Sequence, residues 1–213
     1  MGNLFGIDSP AGKFVIRICD LIFLNVLYIL CCIPIFTVGA ANTALQYVAM
    51  KMARDENDGV FFEFFSSFRR NFKQSLPLTG IWLGTGMFIL GNIYVFNHWD
   101  FGIWNNGKYI LYVALALHFV LFTYVFPVFA RFDNTVKNTL RNSRLLAMRY
   151  PVNTIVVSVV NGLPFLLDFF WPEFFQYVFF LWFFIMFAAQ AYWNGGLFRR
   201  IFDTLEREQE AET

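Results

Sequence analysis

The sequence is poor in charged residues. Only 15% of its 213 residues are charged, against roughly a quarter in an ordinary soluble domain, whereas 58% are hydrophobic and 21% are aromatic. The net charge is only +1, so the chain has no surplus of basic residues to neutralise a phosphate backbone, which argues against nucleic acid as a partner. These deficits exclude a typical soluble domain and indicate an integral membrane protein in contact with the lipid bilayer.

Residues that carry chemistry are also scarce. The three cysteines, Cys19, Cys31 and Cys32, have no CxxC or Cys/His spacing, which argues against a disulfide framework and a zinc site. The chain has two histidines and no HExxH, GxSxG or glycine-rich phosphate-loop motif. We therefore expect no metal, no cofactor and no enzymatic activity.

Long apolar segments fill most of the chain. Their lengths approach the roughly 20 residues that cross a bilayer, and they predict an all-α fold, a polytopic membrane helix bundle that forms a single domain over residues 1–213. The predicted spans are about 14–36, 39–54, 76–96, 109–130, 152–170 and 174–198. Residues 203–213 form a short acidic tail.

The segment 39–54 decides the topology. It is rich in alanine and only about 24 Å long as a helix, which suits a helix packed among others. If it crosses the membrane, there are six spans, both termini are cytoplasmic, and fifteen of the sixteen Lys and Arg residues share that side. If it does not cross, there are five spans and the cations divide thirteen to three. The positive-inside rule favours six spans.

Two basic amphipathic stretches lie between the predicted spans. Phenylalanines recur every three or four residues in 60–74, with basic residues off that stripe, and residues 135–149 are also basic and amphipathic. Such helices lie in the cytoplasmic membrane interface, and we call them elbow helices. The cations that would contact lipid or a partner protein are Arg69, Arg70, Lys73, Lys137, Arg141, Arg144 and Arg149.

Polar residues inside the apolar segments are the other candidates. A polar side chain in hydrocarbon either hydrogen-bonds a neighbouring helix or marks the path of a solute. The candidates for such a path are Asn42, Gln46, His118, Asn161, Gln190 and Asn194. Pro164 follows Asn161 by one turn and frees a carbonyl, which either binds a ligand or is satisfied by a neighbouring helix.

Gly80, Gly84 and Gly91 share one face of the third predicted span. Small residues at this spacing let helices approach closely. We therefore predict a helix contact on this face, either within one chain or between two chains, and the pattern leaves the oligomeric state open.

Three segments resemble the YesL-type family of bacterial membrane proteins of unknown function. They are residues 33–45 (IPIFTVGAANTAL), 53–56 (ARDE) and 68–74 (FRRNFKQ), and residues 138–143 (NTLRNS) also fit the family. The resemblance implies a small multi-pass protein of the bacterial plasma membrane, associated with carbohydrate utilisation and sugar-transport systems. It transfers no catalytic residues to this chain.

Two hypotheses for the function follow. In the first, the protein is a non-enzymatic accessory or assembly partner in carbohydrate uptake, and its elbow helices bind lipid or a subunit of a sugar importer. In the second, it is a small transporter or channel for a polar solute, with the intramembrane polar residues along the path. A membrane-embedded enzyme is disfavoured by the missing motifs.

Overall fold

Helices form almost all of the computed structural model, which describes residues 9–99, 102, 106–132 and 135–211. In chain order they are α1 (Pro10–Cys32), α2 (Val38–Met52), α3 (Val60–His98), α4 (Gly107–Arg131), α5 (Val136–Arg149), α6 (Pro151–Phe170), α7 (Pro172–Leu181) and α8 (Phe187–Ala211). A 3-10 turn, Ile35–Thr37, precedes α2, and a π-helical stretch, Trp182–Met186, joins α7 to α8. The all-α prediction is confirmed. The ends of the predicted domain, residues 1–8 and 212–213, lie outside the described residues.

Three of the described helices, α1, α3 and α4, are long and apolar enough to cross a membrane. Each carries large hydrophobic side chains on its exposed face, for example Leu30 on α1, Phe88 on α3 and Ile110 on α4. Extensive exposed apolar surface of this kind marks a site of contact with lipid or protein. The structure is therefore consistent with a membrane protein, and the count of six spans stays a prediction.

Helix α2 forms the centre of the fold. Ten of its fifteen residues are buried, and it contacts α1, α3, α4 and α8. Two glycines permit the closest approaches: a Cβ atom on Gly39 would lie 1.8 Å from Thr79 Oγ1 of α3, and one on Gly195 of α8 would lie 3.2 Å from the carbonyl oxygen of Ala49. Small residues in α2 thus let three helix backbones pack together.

Helix α2 returns the chain to the end of the bundle at which α1 begins. Early in α1, Arg17 donates a hydrogen bond to the carbonyl oxygen of Met52 at 3.0 Å, and it forms an ion pair with Asp55, just after α2. Helices α1 and α2 are therefore antiparallel neighbours. A six-span topology requires such a return.

Helix α3 joins the first predicted elbow to the third predicted span. We predicted separate helices at 60–74 and 76–96, but one helix of 39 residues continues through Pro77. A proline removes one backbone hydrogen bond and is tolerated inside an apolar helix whose neighbours compensate. At 1.5 Å per residue α3 is about 58 Å long, roughly twice the thickness of the hydrocarbon core, so it does not fit upright within that core.

The phenylalanine stripe of residues 60–74 packs partly into the protein. Phe64 is fully buried in a cluster with apolar side chains of α1, α2 and α8, whereas Phe62 is 80% exposed. Ser67 and Asn71 are buried on the same helix. The prediction that the phenylalanine stripe lies in the membrane interface is wrong for Phe64, because the segment that precedes the third span also covers α2.

The glycine face of α3 makes no close contact in the described part of the chain. A Cβ atom on Gly80, Gly84 or Gly91 would meet nothing within 4 Å. The α3 glycine that does face a neighbour is Gly86, where a Cβ atom would lie 3.3 Å from His118 Nε2 of α4. The predicted contact through Gly80, Gly84 and Gly91 is therefore absent between the described elements.

The C-terminal helices pack on the same core. Phe198 and Phe202 of α8 stack with their ring centroids 5.7 Å apart and lie in one buried cluster with Tyr124 of α4 and Val157 of α6. The predicted acidic tail begins at residue 203, but α8 continues to Ala211. The described part of that tail therefore extends the last helix.

Candidate functional site

One end of the bundle carries a network of charges around the turn 53–59, and we call it the charged end. Its members are Arg17, Lys51, Arg54, Asp55, Glu63, Arg199 and Asp203. Arg17 of α1 and Arg199 of α8 donate to the carbonyl oxygens of Met52 (3.0 Å) and Ala53 (3.3 Å). Carbonyls at a helix C-terminus lack partners within the helix, and positive charge is favourable there. The end of α2 is thus tied to both neighbouring helices.

Two further ion pairs of the charged end join α2 to α3 and to α8. Lys51 Nζ lies 2.5 Å from Glu63 Oε1, and Arg54 Nη2 lies 2.7 Å from Asp203 Oδ1. Glu63 also accepts a hydrogen bond from the backbone N–H of Asp58 at 3.0 Å, which closes the turn. These residues were not among the candidates predicted from the sequence, although all of them are charged groups close to a helix of small residues.

Helix α5 displays the predicted cations of the second elbow on its exposed face. The exposed cations are Lys137, Arg141, Arg144 and Arg149. Leu145 and Met148 are also exposed, by 50% and 73%, so apolar and basic groups are mixed on this face, as in helices that lie at an interface. The opposite face is anchored, because Leu146 lies in a buried cluster with residues of α4, α6 and α8.

The cations of the first predicted elbow lie on α3. Arg69, Arg70 and Lys73 are exposed. The Arg70 guanidinium carbon lies 5.5 Å from the ring centroid of Tyr47 on α2, within the range of a cation–π interaction. Arg70 therefore contacts α2 although its side chain is exposed on the surface.

Three candidates for a polar path meet between α6 and α8. Asn194 Nδ2 donates to Asn161 Oδ1 at 2.7 Å, and Gln190 Nε2 donates to the carbonyl oxygen of Val160 at 2.9 Å. That carbonyl lies four residues before Pro164, so it lacks its usual donor because proline has no N–H group. The neighbouring helix thus supplies the donor that Pro164 removes, as is common in membrane proteins.

The other three candidates lie on α2 and α4. Asn42 and Gln46 are half-buried on α2, and His118 Nδ1 lies 3.3 Å from Thr85 Oγ1 across the α3–α4 contact. None of the three hydrogen-bonds the α6–α8 group within the described ranges. Two amide oxygens, Gln46 Oε1 and Asn194 Oδ1, are buried and have no hydrogen-bond partner among the described residues.

Asn25, a fully buried residue of α1, was not among the candidates predicted from the sequence. Its amide nitrogen donates to the carbonyl oxygen of Phe183 at 2.7 Å, and its amide oxygen accepts from the N–H group of Ala188 at 2.9 Å. These two backbone groups belong to the π-helical stretch and its exit, where irregular bonding leaves groups to be satisfied. An asparagine in the middle of the first apolar segment was the signal that would have found it.

The amino-acid sequence is similar to one described protein family and to a known protein. Residues 21–93, which hold the second half of α1, all of α2 and most of α3, match the family described as "Protein of unknown function, DUF624". The chain is 28% identical over 160 residues to the "Uncharacterized protein YesL" of Bacillus subtilis (strain 168), an alignment that covers 73% of this chain and 75% of that protein. No solved structure gives a significant match.

Proposed function

We propose that this chain, a member of the YesL-type family of proteins of unknown function, is a non-enzymatic accessory or assembly partner of a transport system in the bacterial plasma membrane. The observation that carries the proposal is the outer face of α5, where exposed cations lie beside exposed apolar residues. The association with carbohydrate uptake comes from the family resemblance, and it makes a subunit of a sugar importer the partner to test.

Helix α5 is held in place before any partner binds. Thr135 caps its N-terminus by accepting a hydrogen bond from the N–H group of Asn138 at 3.4 Å, and Thr154 of α6 donates to the carbonyl oxygen of Ala147 at 2.9 Å. A helix that is already ordered loses little conformational entropy on docking. Its basic groups complement an acidic surface on a partner subunit, and they favour the cytoplasmic leaflet, whose lipids are anionic.

The proposed topology has six spans and two cytoplasmic termini. Arg17 and Arg199 bring the start of α1 and the end of the α8 apolar segment to the turn after α2. Arg131, at the end of α4, lines one cavity with Lys51 of α2, so the start of α5 follows at the same end. A bundle whose cations gather at one end is oriented with that end in the cytoplasm by the positive-inside rule.

Charge reversal on α5 tests the docking proposal. We expect an importer subunit to co-purify in mild detergent with the wild-type chain, and its recovery to fall about tenfold with Arg141→Glu, because the rim charge would then repel an acidic partner. Lys108→Glu is the matched control, since it makes the same change of charge at the opposite end of α4. Failure of the wild type to recover an importer subunit, or equal recovery with both variants, would contradict the proposal.

A second candidate function is a small transporter or channel for a polar solute, with a path between the helix pairs. The buried amide oxygens of Gln46 and Asn194, unpartnered among the described residues, favour it, because a solute hydroxyl would satisfy them. Saturable sugar flux into reconstituted vesicles, abolished by Asn42→Ala with Gln46→Ala, would support a transporter. Vesicles that contain folded protein and show no flux would exclude it for the sugars tested.

A further inference from the structure

A small cavity at the charged end is lined by cations from three helices. Its volume is about 170 Å³, and its lining residues are Tyr47, Met50, Lys51, Arg54, Arg70, Ala130 and Arg131. A single water needs roughly 10–15 Å³, so the cavity has room for a small ligand, although it is smaller than the roughly 300 Å³ at which pockets for drug-sized molecules begin. Four of its described lining residues are cations and none is acidic.

The walls of the cavity are fixed by packing. Met50 is buried on α2, and the side chain of Arg54 is only 12% exposed. The Tyr47 ring lies close to two of the cations, with its centroid 5.9 Å from Lys51 Nζ and 5.5 Å from the Arg70 guanidinium carbon. An aromatic face orients cations in this range, so the positive groups are positioned before a ligand arrives.

The described ion pairs link at least two of these cations to acidic groups that do not line the cavity. Glu63 pairs with Lys51, and Asp203 pairs with Arg54. One donor is left over, because Arg54 Nε is buried and has no hydrogen-bond partner in the described part of the chain. An unpaired buried donor is unfavourable, and an acceptor oxygen bound beside Arg54 would satisfy it.

We propose that this cavity binds an anionic phosphate group. Guanidinium groups donate pairs of hydrogen bonds that match phosphate oxygens, and a lysine ammonium adds a compact positive charge. The phosphate belongs either to the headgroup of an anionic phospholipid or to free inorganic phosphate. Basic pockets between membrane helices near the cytoplasmic surface are known to take headgroups. The site does not depend on the docking role of α5, because α5 contributes no lining residue.

Thermal unfolding of the purified full-length chain in neutral detergent tests the site. Phosphatidylglycerol and inorganic phosphate are titrated separately at constant salt, with phosphatidylcholine as a headgroup of no net charge. We expect a saturable rise in melting temperature with one of the two anionic sources and none with phosphatidylcholine. Arg70→Gln should weaken the apparent affinity about tenfold, the effect of one charge-assisted contact, whereas Arg69→Gln should change it less than about twofold, because Arg69 does not line the cavity.

The separate titrations with phosphatidylglycerol and inorganic phosphate identify the source of the phosphate. Saturation with phosphatidylglycerol alone assigns the headgroup, and saturation with inorganic phosphate assigns the free anion, and either result supports the proposal. A second lining variant on another helix, Arg131→Gln, should weaken binding as Arg70→Gln does, which separates loss of the site from misfolding of one variant. The proposal is overturned if neither source gives a saturable shift, or if Arg69→Gln and Arg70→Gln weaken binding equally.

Discussion

The contact between Gly39 and α3 gives the sharpest prediction about stability. In Gly39→Ala, the new methyl group would lie 1.8 Å from Thr79 Oγ1 and 3.2 Å from the carbonyl oxygen of Ser75. The Thr79 hydroxyl donates to that same carbonyl at 2.8 Å, so moving it away sacrifices a buried hydrogen bond. Even then the contact with the Ser75 backbone stays tighter than ordinary packing allows, and the two helices must separate.

The expected magnitude follows from two opposing effects. Overpacking of a close contact costs about 1–3 kcal/mol, whereas replacing glycine by alanine inside a helix contributes about 0.5–1 kcal/mol of stability. We therefore expect Gly39→Ala to lower the free energy of unfolding by about 1–2 kcal/mol. Gly84→Ala, on an open face of α3, should be neutral or more stable by up to about 1 kcal/mol.

Unfolding in mixed micelles with an increasing fraction of denaturing detergent measures this difference. Tryptophan fluorescence can follow the transition, since the chain has six tryptophans. Adding Thr79→Ala to Gly39→Ala removes the nearest clashing atom and should restore part of the loss, which a double-mutant cycle would show as coupling between the two positions. Equal stability of Gly39→Ala and Gly84→Ala would refute the packing argument.

Two other predictions concern buried amides. Asn25→Ala should lower the free energy of unfolding by about 1–3 kcal/mol, because two buried backbone groups lose their partner. The control is Asn92→Ala, whose amide donates to the Phe88 carbonyl in its own helix and which should change the free energy by less than about 0.5 kcal/mol. Similar losses for the two variants in the same detergent assay would count against the bridging role of Asn25. Gln190→Leu should cost about 0.6–2 kcal/mol by leaving the Val160 carbonyl unbonded, and an unchanged unfolding midpoint would show that this carbonyl has another donor.

The central position of α2 could be predicted from its composition. A short run of alanines with a single glycine is typical of a helix packed on several sides, and the structure buries α2 in this way. Which glycines make contact could not be predicted. Gly39 and Gly84 look equivalent in the sequence, and only the direction of each helix face decides that one meets α3 and the other meets open space.

The elbow helix at 60–74 shows why periodicity alone leaves two structures open. A stripe of phenylalanines every three or four residues predicts one apolar face, and that face can lie in lipid or against protein. Phe64 packs against the other helices, whereas Phe62 faces outward. Separate helices were predicted at 60–74 and 76–96, but one helix runs through both segments and through Pro77.

The charged end and the cation-lined cavity could not be found from local patterns, because their residues are far apart in the chain. Arg54 and Asp203 are separated by 149 positions, and the cavity draws its cations from α2, α3 and α4. The small residues of α2 let its neighbours pack closely, and this packing brings charged residues of several helices to the turn 53–59. The sequence contained the charges, and the packing decided which of them meet.

The central claim is that α2 returns the chain to the cytoplasmic side, where α1 begins. Measuring which side of the membrane each helix end faces tests this claim directly. Single cysteines are introduced by Ala11→Cys, Asp58→Cys and Asn106→Cys in a variant without the three native cysteines, and intact cells are treated with a membrane-impermeant maleimide. We expect labelling of residue 106 in intact cells, and of residues 11 and 58 only after permeabilisation. Labelling of residue 11 from outside, with residue 58 reachable only from inside, would contradict the claim.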